Sequence, residues 1–376
     1  MATYLLDPDV CFLNHGSFGA TPKEILEAQH KLRLQMEAEP VDFLIRDLPV
    51  RWRAALDSVA AFLRSDPEGT AFVHNATSGV NAVISSIDWQ PGDQILTTNH
   101  RYDAVKNTLA HAATRAGAEV IEAAVPFPLN GPDEVVAAIE AAINPKTRML
   151  VIDQITSPTA LIFPVAEIIR VARAHGVMVL VDGAHAPGQI DVDITALDPD
   201  FWVGNLHKWL CAPKGAAVLY VAEQWRDRIH PTTISHGYGK GLHEEFGWVG
   251  TLDPTAWLCA PEAIALHEAQ GGPAFRAEHH KLVQAGREVI AAALKVALPH
   301  PDSAALYGSM AAIPLPCSAA DVPELFSAIR QQDEIEVPIL PWDNRAWVRI
   351  SGFAAYNTPE QYHTLAEALA RRLSVS

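Results

Sequence analysis

From about residue 70 onward, the chain alternates short apolar runs with alanine-rich segments whose apolar residues recur at helical spacing. Strands that alternate with helices in this way indicate an α/β fold with a mostly parallel central sheet and helices on both faces. The apolar or β-branched runs that predict buried strands are Gln94–Thr98, Glu119–Ala123, Arg148–Asp153, Val177–Asp182 and Ala216–Val221. The amphipathic segments that predict helices are Tyr102–Ala116, Pro132–Ile143 and Val165–His175.

The pattern changes after about Leu252. A long helical region then runs through Leu298, and shorter strand and helix signals punctuated by proline follow it. A chain of 376 residues is long enough for two domains. We therefore expect a large α/β domain over residues 20–255 and a small α+β domain that joins residues 1–19 to residues 256–376.

The composition argues against several classes of partner. The formal net charge of −16 repels phosphodiester backbones, so we expect no nucleic acid partner. The four cysteines lack the paired spacing of a zinc site and are too few for a disulfide framework, so no metal site is predicted. No N-terminal leader pattern and no run long enough to span a membrane occur, which predicts a cytoplasmic protein without a membrane partner.

Polar residues that follow the predicted strands are the first candidates for a site, because open parallel sheets bind ligands at the carboxyl ends of their strands. The run Asn75–Asn81, of sequence NATSGVN, follows the apolar Ala71–Val73 and begins a helical segment. Amides and two hydroxyls at a helix N-terminus would cradle a phosphate, although an ordinary helix cap is the simpler explanation of this run alone. The chain lacks both the GxGxxG signature of dinucleotide enzymes and the GxxxxGK signature of P-loop nucleotidases.

A carboxylate, Asp182, ends an otherwise hydrophobic predicted strand and is followed by Gly183, Ala184 and His185. Burying a carboxylate there is costly unless a cation or a strong donor meets it. A protonated pyridine nitrogen is one such cation. The alternative is that Asp182 caps the following turn, as aspartate before glycine commonly does.

The run Gly204–Trp209, of sequence GNLHKW, contains Lys208 and precedes the last predicted strand of the alternating region. A lysine between a histidine and a tryptophan is expected to be partly desolvated, which lowers the pKa of its amine and makes the amine nucleophilic. Lysines that form imines need this property. For this run alone, a surface lysine beside a buried tryptophan is an equally good explanation.

In their order and spacing, these three segments resemble the aminotransferase class V family of pyridoxal phosphate (PLP) enzymes, and within it the isopenicillin N epimerase-like branch. The resemblance covers essentially the whole chain. It is carried by the ordered motifs FLNHGSFG at 12–19, DGAHAPG at 182–188, NLHKW at 205–209 and VRIS at 348–351, with Tyr356–Asn357. It implies fold type I of the PLP-dependent transferases and PLP as the cofactor.

The resemblance also assigns roles to single residues. Lys208 would hold the cofactor as a Schiff base, and Asp182 would pair with its pyridine nitrogen. Tyr102 would lie over the ring face, while His185 and Ser157 would contact the ring hydroxyl. His185 also has a simpler explanation as a core histidine bonded to the backbone. The residues expected around the phosphate are Ala76, Thr77, Ser78, Asn205 and His207.

Two further residues match family positions that bind the substrate or reach a partner subunit. Arg349 would clamp the α-carboxylate of the substrate, for which the planar guanidinium fork is suited, and a surface salt bridge is the alternative. Thr251 lies in a stretch that matches the family segment reaching the phosphate of the neighbouring subunit. The resemblance therefore implies a homodimer with shared active sites.

Three other polar residues have weaker assignments. Asn14 and His15 follow an apolar run and are interpreted as lining the substrate entrance, although a simple turn before a helix explains them almost as well. Arg46 would serve a second substrate carboxylate, or it would pair with Asp42 or Asp47 on a solvated helix face.

The resemblance implies an enzyme that acts at the α-carbon of a small amino acid substrate. We expect an epimerase or racemase of the isopenicillin N epimerase type. The alternatives are C–S β-elimination, as in hercynylcysteine sulfoxide lyases and cysteine lyases, and transamination. All three reactions share one carbanion-like intermediate, so the cofactor-binding residues do not choose among them.

Two other functions are disfavoured. Cysteine desulfurases of this superfamily carry a nucleophilic cysteine on a loop just before the C-terminal arginine segment. The stretch at 336–344, EVPILPWDN, contains no cysteine, and Cys317 upstream of it is more simply a packing residue. A catalytically inactive binding module would have no physical need for Lys208, Asp182 and Arg349 together.

Overall fold

Three β-sheets lie within residues 3–375, the part of the chain that the computed structural model describes. The strands are β1 (Cys11–Phe12), β2 (Thr70–Val73), β3 (Gln94–Thr98), β4 (Glu119–Ala123), β5 (Thr147–Asp153), β6 (Met178–Asp182), β7 (Phe201–Asn205), β8 (Ala217–Val221), β9 (Met310–Ser318), β10 (Ile335–Glu336), β11 (Ile339–Trp342) and β12 (Arg345–Ser351). The central sheet has the order β2-β8-β7-β6-β5-β3-β4, while β9, β11 and β12 form a second sheet and β1 pairs with β10.

Helices connect and cover these strands. The α-helices are α1 (His15–Phe18), α2 (Lys23–Ala38), α3 (Leu48–Leu63), α4 (Ala76–Ser86), α5 (Asp103–Ala116), α6 (Asp133–Ala142), α7 (Val165–Ala174), α8 (Ile194–Leu197), α9 (Leu242–Gly247), α10 (Thr255–Leu258), α11 (Ala260–Ala269), α12 (Pro273–Leu294), α13 (Val322–Gln332) and α14 (Pro359–Arg372). A π-helix, Asp42–Asp47, leads directly into α3. Within residues 3–375, no helix is both long enough and apolar enough to cross a membrane.

The central sheet is mostly parallel, as predicted. Only β8 runs antiparallel to its two neighbours, β7 and β2. The connection from Asn205 to Ala217 carries no α-helix, and a parallel crossover normally needs one. The chain therefore returns beside β7 in the opposite direction.

Both faces of the central sheet are covered, because successive residues of its strands pack into different hydrophobic clusters. In β5, Leu150 and Ile152 lie in a cluster with Ile139 of α6 and Ile168 of α7. Alternate residues of the same strand, such as Val151, belong to a second cluster, which contains residues of α4 and α5. This alternation places helices on both faces and confirms the predicted α/β architecture.

Several predicted elements agree with the structure to within a residue or two, including β3, β4, α5 and α7. Strand β7 was not predicted as a strand, because its sequence FWVGN has only three apolar residues before a glycine and an asparagine. The long helical region predicted after Leu252 is divided into α10, α11 and α12. Gly271 and Gly272, with φ of 110° and 49°, lie between the last two of these helices and separate them.

The C-terminal part of the chain brings Arg349 towards the central sheet. Arg349 lies in β12, the middle strand of the second sheet, between β9 and β11. The pairing of β1 with β10 attaches residues 11–12 to this part of the chain. The division into domains of residues 20–255 and of residues 1–19 with 256–376 stays a prediction.

Candidate active site

A cavity of about 870 Å³ opens where the carboxyl ends of β5, β6 and β7 meet the N-terminus of α4. This is the position at which open parallel sheets bind their ligands. Ten residues predicted for the cofactor site line it together: Ala76, Thr77, Ser78, Tyr102, Ser157, Asp182, His185, Asn205, His207 and Lys208. These residues come from widely separated parts of the sequence, and the fold brings them to one place.

The first turn of α4 is shaped by two asparagine side chains. Asn75 caps the helix, and its Oδ1 accepts a hydrogen bond of 2.8 Å from the amide of Ser78. Asn205, at the end of β7, accepts a bond of 2.8 Å from the amide of Ala76. The helix cap considered from the sequence is therefore present. The turn still offers an anion the amide and the hydroxyl of Thr77, while the Ser78 hydroxyl donates to Asn75 over 3.1 Å.

Two carboxyl groups lie side by side on the floor of the cavity. Asp182 ends β6, and Asp153 is its register partner at the end of β5. Burial raises the pKa of both carboxyl groups, and the charge of Asp182 raises that of Asp153 further. The amide of Ala184 donates to Asp182 over 2.9 Å, which favours Asp182 as the ionised member of the pair. A cation above Asp182 would be stabilised in this position.

The amine of Lys208 is buried in the same cavity. Burial and the charge of Arg349 lower the pKa of this amine to about 7, although Asp182 opposes the effect. Its Nζ lies 3.2 Å from Nε2 of His185. A large fraction of Lys208 is therefore an uncharged, nucleophilic amine at neutral pH.

The tautomer of His185 follows from its second partner. The indole N–H of Trp209, which is only a donor, lies 3.4 Å from Nδ1 of His185. Nδ1 must therefore accept, and in a neutral ring the proton is on Nε2. Burial and the charge of Lys208 lower the pKa of His185 well below its ordinary value, so the ring is neutral. His185 consequently presents an N–H donor to the Lys208 amine.

Arg349 is buried at the edge of the cavity rather than paired on the surface. Its Nη1 donates to the carbonyl oxygen of Ser157 over 2.6 Å and to the Ser157 hydroxyl over 3.1 Å, while Nη2 donates to Ser17 over 3.1 Å. Its Nε has no hydrogen-bond partner among the described residues. Burial lowers its pKa to about 10, which leaves the guanidinium charged at neutral pH. A buried charge with an unpaired donor would be stabilised by a carboxylate placed beside it.

Tyr102 lies at the mouth of the cavity, with 46% of its surface exposed. Its charge when ionised would raise the pKa of Arg349, which indicates that the two side chains are close. Phe18 lines the same region and is also exposed. The substrate side of the cavity therefore has two aromatic rings available for contact.

Several lining residues were not assigned roles from the sequence, and three that make polar contacts or carry a charge are Asp153, Lys214 and Ser17. Asp153 occupies the same strand-end position as Asp182, which is the signal that would have identified it. Lys214 donates to the Thr21 hydroxyl over 3.1 Å, and burial lowers its pKa. Ser17, which contacts Arg349, lies in the FLNHGSFG motif.

Five residues named from the sequence are not among those that line the cavity: Arg349, which bonds the lining residues Ser157 and Ser17, and Thr251, Asn14, His15 and Arg46. Thr251 is exposed and does not line the cavity of its own chain. Asn14 donates to Glu336 over 2.9 Å, and His15 is fully buried and bonded to the carbonyl oxygen of Lys208. The role of these two residues at the substrate entrance stays a prediction. Arg46 forms an exposed ion pair of 2.6 Å with Asp42, which agrees with the ion-pair interpretation of Arg46.

The structure also shows how His207 is held. Its Nδ1–H donates to the carbonyl oxygen of Ala216 over 3.0 Å, and burial lowers its pKa to about 4. The ring is therefore neutral at physiological pH. It keeps Nε2 available to a ligand in the cavity that it lines.

Comparison with known proteins identifies the family of the chain. Residues 20–365 match the family model described as aminotransferase class-V. The chain is 35% identical to isopenicillin N epimerase of Streptomyces clavuligerus over 97% of this chain and 95% of that protein. It is 32% identical to a putative L-cysteine desulfhydrase of Oryza sativa subsp. japonica over 96% of this chain and 82% of that protein.

A solved structure shares the fold. It is a variant of C-DES with glycine covalently linked to its PLP cofactor, and its TM-score with this chain is 0.80. The sequence identity is 24%, and the superposition covers 96% of this chain and 97% of that chain. The fold is thus fold type I of the PLP-dependent enzymes.

The cavity residues fit PLP. The desolvated amine of Lys208 suits the cofactor aldehyde, the buried carboxylate of Asp182 suits a protonated ring nitrogen, and the first turn of α4 suits a phosphate. The free Nε of Arg349 suits the carboxylate of a substrate. The fold, the cavity and the sequence matches together lead to one assignment: this chain belongs to the aminotransferase class-V family of PLP enzymes.

Proposed function

We propose that this chain catalyses proton transfer at the α-carbon of an amino acid and is an epimerase or racemase of the isopenicillin N epimerase type. The observation that carries the proposal is the position of the Lys208 amine. It is desolvated, has a pKa of about 7, and lies in one cavity with Asp182 while Arg349 is close enough to lower that pKa. A base for proton transfer works best with a pKa near the operating pH.

Arg349 would orient the substrate. Ser157 and Ser17 accept hydrogen bonds from both terminal nitrogens of the guanidinium and so fix the plane of the group. The free Nε then provides a further donor beside them. A carboxylate held in this fork has a fixed direction as well as a fixed position, and this brings the α-carbon towards Lys208.

PLP, when bound, supplies an electron-withdrawing ring that acidifies the α-carbon of an attached amino acid. The side chains then have separate tasks. Asp182 would hold a protonated ring nitrogen, and Lys208 would accept a proton from the α-carbon on one face. His185, with its Nε2–H, keeps the Lys208 amine uncharged until it accepts that proton. Epimerisation needs a second proton carrier on the opposite face, and Tyr102 is our candidate because it lines the cavity near Arg349.

A second candidate function is C–S β-elimination. It begins with the same proton transfer to Lys208 and is about equally supported, since relatives include L-cysteine desulfhydrases and a hercynylcysteine sulfoxide lyase of Schizosaccharomyces pombe. Transamination uses the same groups and is the third possibility. A persulfide mechanism is not supported, because Asp343 and Asn344 make a tight turn between β11 and β12 where desulfurases carry a cysteine loop.

Incubation with a panel of amino acids in deuterated water separates these reactions. Deuterium at the α-carbon with loss of optical activity identifies epimerisation. Pyruvate with a released sulfur product identifies elimination, and a keto acid with aminated cofactor identifies transamination. If no amino acid in a panel that includes cysteine and cystine gains deuterium or yields pyruvate or a keto acid, the proposed α-carbon chemistry is wrong.

We also propose that the enzyme is a cytoplasmic homodimer with shared active sites. The position of Thr251 supports this assembly, since it is exposed and lies outside the cavity of its own chain. Mixing inactive Lys208→Ala chains with inactive Thr251→Trp chains tests it. Recovery of cofactor-dependent activity on exchange of subunits supports shared sites, and a monomer at micromolar concentration in sedimentation contradicts the proposal.

A further inference from the structure

His15 lies directly behind Lys208, on the side away from the cavity. Its Nε2 is 3.1 Å from the carbonyl oxygen of Lys208, and its Nδ1 is 2.5 Å from the hydroxyl of Tyr356. The imidazole is fully buried and stacks on Phe353, with ring centroids 4.1 Å apart and planes at 12°. The ring of Trp209 packs against it at 4.8 Å. The orientation of His15 is therefore fixed by contacts with several parts of the chain.

The tautomer of His15 is fixed as well. A carbonyl oxygen only accepts, so the proton must be on Nε2, where it is donated to Lys208. Nδ1 then accepts the hydroxyl proton of Tyr356. Burial lowers the pKa of His15 well below its ordinary value and raises that of Tyr356, so both groups are uncharged at physiological pH. The result is a directed chain from Tyr356 through His15 to the main chain of Lys208.

The same segment also touches the substrate-binding arginine. Ser17, two residues after His15, accepts a hydrogen bond from Arg349, and the amide of Gly16 donates to Ser351 over 3.0 Å. Gly19 has a φ of 69°, and a Cβ at this position would lie 2.5 Å from the carbonyl oxygen of Lys208. Within residues 14–19, His15 and Gly19 thus contact the Lys208 main chain, and Ser17 between them holds Arg349.

We propose that His15 is a positioning residue for Lys208: through the bond from Nε2 to the Lys208 carbonyl, and with Tyr356 as its own orienting partner, it holds the Lys208 main chain so that Nζ stays within reach of His185 and the cofactor. The proposal rests on the proposed role of Lys208 as the cofactor-binding lysine. Cys211 also donates its amide to the Lys208 carbonyl, so His15 supplies one of two bonds that fix this peptide group. Loss of the His15 bond would make the Lys208 peptide group more mobile, while the bond from Cys211 would keep it in place.

Three variants test this positioning role. His15→Phe keeps an aromatic ring for stacking but removes both nitrogens. His15→Gln returns an N–H donor at the reach of Nε2, and Tyr356→Phe removes only the hydroxyl that orients the ring. His300→Phe is the matched control, because His300 is a buried histidine that bonds Arg287 and lies outside the cavity.

The measurements report the covalent state and the environment of Lys208 and do not depend on turnover. Reduction with borohydride followed by mass spectrometry gives the fraction of chains with PLP attached to Lys208. The pH midpoint of the visible absorbance of the lysine-bound cofactor gives the environment of Nζ. Thermal unfolding of the cofactor-free proteins measures the structural cost of each substitution.

We expect His15→Phe and Tyr356→Phe to weaken covalent attachment of PLP by about tenfold and to move the pH midpoint, as expected from the loss of one buried hydrogen bond. His15→Gln should recover most of the covalent attachment. His300→Phe should have a lower unfolding temperature than the wild type but the same pH midpoint of the visible absorbance. If His15→Phe does not fold, the comparison of Tyr356→Phe with the wild type tests the proposal.

Attachment and midpoint like those of the wild type in both His15→Phe and Tyr356→Phe would overturn the positioning role of His15 while leaving that of Lys208 intact. The positioning role would also be overturned if His300→Phe lost as much PLP attachment as His15→Phe and the loss in each variant simply followed its drop in unfolding temperature. Failure of the wild-type chain to attach PLP at Lys208 would overturn both proposals together.

Discussion

Nε2 of His185 lies 3.2 Å from Nζ of Lys208, and the donor-only indole of Trp209 on the far side of the ring directs the histidine proton towards the lysine. The lysine thus faces a neutral N–H donor rather than a free lone pair. This arrangement favours the uncharged amine, in the same direction as burial and the charge of Arg349, which lower the pKa of Lys208. The reactivity of Lys208 therefore depends on residues that would not themselves touch a substrate.

Trp209→Phe should raise the pKa of Lys208. Without the indole donor, the proton of His185 can move to Nδ1, and the free lone pair on Nε2 then stabilises the lysine ammonium. We expect an increase of about one pH unit, equal to about 1.4 kcal/mol, from the level of about 7. The pH dependence of the rate at which cofactor-free protein attaches PLP measures it. Trp225→Phe is the control, since its indole donates to Asp200 and does not line the cavity, and an equal pKa in both variants would contradict the prediction.

Asp182→Ala should still bind PLP but lose at least about a hundredfold in the rate of α-deuterium exchange, because the ring nitrogen loses its carboxylate. Asp153→Asn is the matched control. Its amide resembles the protonated carboxyl that burial and Asp182 favour at this position, so its exchange rate should fall much less. Exchange that persists in Asp182→Ala would mean that another group serves the ring nitrogen.

Arg349→Ala should raise KM for the amino acid by roughly thirtyfold or more, as expected when one partner of a desolvated charge pair is removed. Arg349→Lys keeps the charge but not the planar fork or the bonds to Ser157, so we expect only partial recovery. Steady-state kinetics with a single substrate measure both variants. An unchanged dependence of rate on substrate concentration would remove Arg349 from the binding site.

The cofactor-free protein should become more stable as the pH rises from about 7 towards 10. The pKa of Lys208 is lowered from 10.5 to about 7 by burial, so in this window the unfolded chain binds one more proton at Lys208 than the folded chain. The free energy of unfolding then rises with pH, by at most about 1.4 kcal/mol per unit from this residue. Denaturant unfolding of wild type and Lys208→Met isolates the contribution, and parallel pH profiles would contradict it.

The sequence predicted much of the central sheet, because β3, β4, β5 and β6 each carry a local apolar pattern that does not depend on distant contacts. It did not reveal the reversed direction of β8, which depends on the shape of the connection after β7. Most lining residues were identified from motifs at strand ends. The ends of parallel strands meet at one edge of the sheet, and this does not depend on the details of side-chain packing.

The role of His15 could not be read from the sequence in the same way. Its two partners, Lys208 and Tyr356, are 193 and 341 residues away along the chain. A histidine before a glycine gives no local signal that distinguishes a substrate contact from a buried hydrogen bond. Asp153 shows the opposite case, since it shares the strand-end pattern of Asp182 and was identifiable from the sequence.

The most direct test of the account is to find where the cofactor is attached. Purified protein is saturated with PLP, reduced with borohydride, digested and analysed by mass spectrometry. The cavity contains two lysines among the described residues, Lys208 and Lys214, which makes the result specific. We predict the reduced cofactor on the peptide that contains Lys208, and its loss in Lys208→Ala. Attachment at Lys214, or no covalent attachment at all, would contradict the account.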